Sequence, residues 1–267
     1  MAGKESPITQ MRTIAWLREA QRLTGAKGLT ALANRYAQRA LRLQFKEDAP
    51  LSPREFKQYA NGQTKPSDDT LDEVEEFLPG TLGTFRVGPR ETPEAQHSPL
   101  WLALGGKGPE LRDAILQIDP PGIASLFARS KPFSDVITAV FDRFGLNREM
   151  MWEGIARNWM TDDDHIVIAA IKVQELKVSL AMLTSAVALW RLSLEINSEV
   201  PVTNYLMLGL HGIVAQQLLE PFGIYEHFKE HARAGILSAF TLLEAERERE
   251  ARYADLAFAE SDPKPTA

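Results

Sequence analysis

At 267 residues, with 44% hydrophobic and 25% charged residues, the chain is long enough for two cored domains, and its lack of cysteine excludes disulfides, thiol nucleophiles and cysteine-based zinc sites. The opening MAGKESPITQMR lacks the apolar run of a secretory signal, and no stretch reaches the roughly 18–20 apolar residues of a membrane span, so a soluble, cytoplasmic protein is expected. The net charge of -6 is unevenly spread: residues 1–66 hold 12 Lys+Arg against 5 Asp+Glu, whereas residues 67–267 hold 18 against 31.

The first predicted helix covers residues 11–23, where Ile14, Leu17 and, less regularly, Trp16, Ala20 and Leu23 share one side, and Gly25 to Gly28 ends it. A second covers residues 29–43. There Leu29, Leu32, Ala33, Tyr36, Ala40 and Leu43 recur at spacings of three and four, with Arg35, Arg39 and Arg42 on the other faces.

The most informative stretch runs from Leu51 to Leu78. Ser52 is an N-cap candidate, Pro53 sits at the first helical position, and Glu55 completes a capping box. This helix should run to about Ala60, because Asn61-Gly62 is a helix stop and a turn. Another helix starts at Pro66-Ser67, capped by Ser67 or Asp68. Asp68, Asp69 and Asp72 load its first turn, and Leu71, Val74, Phe77 and Leu78 form its apolar stripe.

The string SPREFKQYANGQTKPSDDTL resembles the recognition helix, the following turn and the next helix of the Cro/repressor-like (xenobiotic-response-element type) helix-turn-helix family. Phe56, Tyr59, Asn61-Gly62, Lys65-Pro66-Ser67 and Thr70-Leu71 fall in register without a gap. Two departures stand beside them: Ala60 occupies a position where the family carries Glu, and QFKEDAPL lengthens the connection from the preceding helix. The resemblance implies a DNA-binding transcriptional regulator, acting as a dimer on a two-fold site in double-stranded DNA. It offers Arg54 and Lys57 to guanine edges or phosphates and Gln58 to adenine or the backbone, with Ser52, Thr64 and Lys65 suited to phosphates. Glu55 can accept from cytosine, although its capping role is the duller reading. The basic front end fits this expectation, since phosphate neutralisation supplies most sequence-independent affinity, and ordinary solvated charge is the competing reading.

From Pro79 to Pro99 the chain has four prolines and three glycines and reads as a connecting segment. The expected organisation is all-α: a helix-turn-helix domain at 1–88, a linker at 89–108, a helical bundle for oligomerisation or sensing at 109–258, and a disordered tail at 259–267. Bundle helices are predicted at 109–118, 121–129, 132–145, 147–159, 162–196, 202–219, 222–233 and 235–258. From Val178 to Trp190 there is no charge, which places that helix at the bundle centre, and Gly209 and Gly212 suggest close approach of a partner helix.

Other constellations favour structural readings. His227-x-x-Glu230-His231 matches H-x-x-E-H but lacks an obvious third metal ligand, so two solvated histidines are expected. Asp162-Asp163-Asp164-His165 reads as a helix cap and first turn, Gly105 to Gly108 as a turn, and His211 as a satisfied core histidine. No catalytic set stands out and no cofactor is implied. The rival expectation is a non-enzymatic interaction scaffold whose helix-turn-helix-like domain does not bind DNA.

Overall fold

The computed structural model describes residues 5–42, 51–116, 132–143, 178–239 and 241. All regular elements among them are helical, and none of these helices is long and apolar enough to cross a membrane. The predicted helices 121–129 and 147–159, the Asp162 to His165 cluster and the tail 259–267 lie outside the described residues.

Helix α1 (Pro7–Thr24) starts before its apolar pattern does. Ser6 accepts from the Thr9 N–H at 3.2 Å and Pro7 occupies the first turn, a local start signal that precedes the predicted residue 11. At the other end Gly25 takes φ 63°, and the Ala26 N–H reaches back to the Gln21 carbonyl. Helix α2 (Leu29–Arg42), α3 (Pro53–Ala60) and α4 (Asp68–Phe77) follow, and Ser67 is the cap of α4.

These helices close a first core around Trp16, Leu17, Tyr36, Phe56, Leu71 and Phe77. Its centre is an aromatic ladder: Tyr36 meets Phe56 and Phe77 edge-on at 6.0 and 5.3 Å between ring centroids, and Trp16 meets Tyr59 at 5.7 Å.

The segment read as a connection is largely packed. Glu75 accepts from the N–H groups of Gly80 and Leu82, both at 2.7 Å, and so starts α5 (Thr81–Arg86). Within the expected 89–108 linker, α6 (Leu100–Gly105) is buried, and its Trp101 Nε1 donates to the Thr84 carbonyl at 2.7 Å. Apolar Leu100, Trp101, Ala103 and Leu104 explain why: four buried side chains on six residues favour a packed helix over a solvated tether.

A second core takes α6, α7 (Pro109–Leu116), α8 (Phe133–Arg143), α9 (Leu180–Ile196), α10 (Val200–Leu210), α11 (Ile213–Leu219) and α12 (residues 225–239). Central placement of the uncharged run holds, with α9 buried on nearly every face. The expected 162–196 helix does not run through Ser179, whose extended backbone caps α9 and whose hydroxyl accepts from Met182 N–H at 3.2 Å. Likewise 202–219 breaks at His211-Gly212 into α10 and α11.

Conversely, α12 runs unbroken through Gly235, where separate helices were expected. A Cβ there would lie 2.4 Å from the Trp190 ring, so glycine is what allows α12 to approach α9. Gly212 has no such role, since its Cβ would meet nothing within 4 Å.

Helix α1 belongs to both cores. Met11, Ile14 and Ala15 enter the second core, whereas Trp16, Leu17 and Ala20 enter the first.

Candidate nucleic-acid interface

The capping box of α3 is complete. Glu55 accepts from the Ser52 N–H at 2.7 Å and the Ser52 hydroxyl accepts from the Glu55 N–H at 3.3 Å. Beyond Ala60 the chain turns at Gly62 (φ 61°), whose N–H reaches the Tyr59 carbonyl at 3.0 Å while Gln63 N–H reaches Gln58. This turn rests on α1, because a Cβ at Gly62 would come 3.0 Å from Gln10 Cβ.

With only two turns, α3 can hold one inward and one outward face. Phe56 and Tyr59, three apart, are buried, and they fix the helix against α2 and α1. Arg54 and Lys57, also three apart, are exposed on the other side. Thr64 and Lys65 are exposed beyond the turn. Among the described residues, Arg54, Lys57 and Lys65 take part in no ion pair, and α3 packs chiefly on α1 and α2. The described part of the second core therefore leaves its outward face open.

Two of the six expected contact residues are less available. Gln58 is half-buried. Ser52 is half-buried as well, and its hydroxyl already donates to Glu55 at 2.9 Å, so a phosphate would have to compete with the cap.

Electrostatics on the neighbouring helix oppose those of α3. Asp68, Asp69, Asp72, Glu73 and Glu76 of α4 are all exposed, and only Asp72 approaches a described cation, Arg86 at 3.6 Å. Glu73 accepts from the Tyr36 hydroxyl at 2.5 Å, and burial, then this carboxylate, push the phenol well above its ordinary pKa. Burial, followed by the nearby Glu55 charge, raises Tyr59 too.

The two histidines of the H-x-x-E-H pattern line a cleft of about 490 Å³ between the start of α1 and α12, with Glu5, Ser6, Gln10 and Glu230. Among the described residues no three His, Asp or Glu side chains are placed to hold a metal ion. Burial, then the Arg191 charge, lower the His231 pKa. His211 is half-buried rather than in the core, with Nδ1 2.8 Å from the Leu208 carbonyl.

Sequence reasoning missed the supports of the site. Gln10, which backs the Asn-Gly turn, stands in the first turn of α1 just after the unread Ser6-Pro7 start signal. Glu19, in the middle of that helix, is fully buried and held by Arg22 and Arg90. Comparison with protein-family models, curated proteins and solved structures returned no match.

Proposed function

We propose that the chain binds double-stranded DNA as a transcriptional regulator, with α2 and α3 as a helix-turn-helix of the Cro/repressor-like type and α3 as the recognition helix. The observation that carries this reading is the two-sided build of α3: aromatic anchors on one face, Arg54 and Lys57 exposed on the other. Two cations one turn apart can neutralise phosphates or donate to guanine edges, and Thr64 and Lys65 extend the donor row past the turn. A two-fold site would be met by a homodimer.

Retention on random duplex DNA at low salt tests the reading. The full chain is retained, and Arg54→Ala with Lys57→Ala lowers retention several-fold.

A second reading, an interaction scaffold, draws on the exposed acidic face of α4, which repels a polyanion approaching from that side. Retention that is absent, or indifferent to both substitutions, favours the scaffold.

A further inference from the structure

We propose that residues 88–99 form a staple that makes the position of α3 answer to the position of α9. The staple is a closed loop: Ser98 N–H donates to the Pro89 carbonyl at 2.9 Å, and His97 Nδ1 lies 2.8 Å from the Gly88 carbonyl. Gly88 takes φ 153°, and a Cβ there would fall 2.0 Å from the Ser98 oxygen, so only glycine closes the loop.

Two stitches tie this loop to α9. The Glu91 carboxylate accepts from Leu180 N–H in the first turn, and the Ser98 hydroxyl lies 2.5 Å from the Thr184 hydroxyl. Two more tie it to α1. Arg90 Nε donates to the buried Glu19 at 3.0 Å, and Arg22 donates both to Glu19 at 2.7 Å and to the Glu91 carbonyl at 3.3 Å. Arg90 also donates to the Pro93 carbonyl at 2.5 Å, which stiffens the loop between its stitches.

From α1 the path continues by packing. Trp16, three residues before Glu19, carries Tyr59 of α3 edge-on, and Gln10 backs the turn after α3. A shift of the α9 N-terminus thus moves Glu91, with it the fork on Glu19, and with that the bed on which α3 lies. A flexible tether would transmit nothing, whereas a staple bonded at both ends must move or break.

The inference does not depend on what α3 binds. Hydrogen exchange of the full chain, read by mass spectrometry, tests it with Glu91→Ala and Arg90→Lys against Glu94→Ala, an exposed acid of the same loop. Loss of the charged cap should speed exchange about tenfold in the first turn of α9 and also in the second half of α1 and in α3. Arg90→Lys, which keeps the charge and the fold but loses the planar fork, should speed α1 and α3 in the same way. Exchange altered only within residues 180–184, or altered nowhere, or altered equally by Glu94→Ala, would overturn the staple.

Discussion

Removal of the buried carboxylate of Glu19 is the sharpest structural perturbation available. Its side chain has no exposure, that of Arg90 has 11% and that of Arg22 has 34%. Glu19→Ala leaves two cations without their shared partner, but not equally stranded. Arg22, a third exposed, can turn to water, so its share is about 0–1 kcal/mol. Arg90 cannot rehydrate freely, and breaking a buried pair from one side costs about 3–5 kcal/mol. Because Arg90 retains the Pro93 carbonyl, the low end applies: about 3 kcal/mol, or roughly 6–12 °C of Tm for a chain of this size. Thermal unfolding followed by far-UV circular dichroism measures it. Glu19→Met with Arg90→Met should recover most of the loss, since an apolar pair of similar volume replaces a buried ion pair at little cost. A fall in Tm below about 3 °C for Glu19→Ala, or a double variant no better than the single one, would show that Glu19 and Arg90 do not hold each other as a buried pair.

Gly235→Ala sets two effects against each other: alanine gains about 1 kcal/mol in helix propensity, but its methyl would lie 2.4 Å from the Trp190 ring, and overpacking costs about 1–3 kcal/mol; net destabilisation in urea is expected, and a stabilised variant would count against the α9–α12 contact. Gly62→Ala forces a side chain into φ 61° against Gln10, so about 1–2 kcal/mol should be lost, while Gly212→Ala, with open space around it, should be close to neutral; urea midpoints compare the two. The depressed His231 pKa means that the folded state favours the neutral ring and the unfolded chain binds the extra proton. Its contribution to stability is therefore present above the ordinary 6.5 and is lost as pH falls from there through the lower folded value, with Arg191 opposing the proton and Glu5 and Glu230 in the same cleft. In His231→Gln the stability lost between about pH 7 and 5 should shrink, and an unchanged acid limb would assign that loss to other groups.

The α3 to α4 stretch was legible because its signals are local. Ser52, Pro53 and Glu55 sit within four residues of one another, and Asn61-Gly62 and Ser67 punctuate the chain in place. The breaks inside the apolar half were not. Ser179 caps α9 from within an apolar run, and Gly235 is tolerated inside α12 only because a tryptophan 45 positions earlier needs the room. The prolines and glycines of the staple are loop-formers and point to a linker, yet Arg90 finds its partner 71 residues away in sequence. Such contacts leave no periodic trace. At the candidate interface the residue types were readable from their spacing, whereas the engagement of the Ser52 hydroxyl and the half-burial of Gln58 follow from the folded geometry alone.

Whether α3 offers its cations to a polyphosphate groove is tested most directly by binding of duplex DNA across a salt series. The expected result is a log–log line whose slope becomes shallower by about two when Arg54 and Lys57 are both replaced by alanine. A slope that stays the same, or no binding by the intact chain even at the lowest salt, would contradict it.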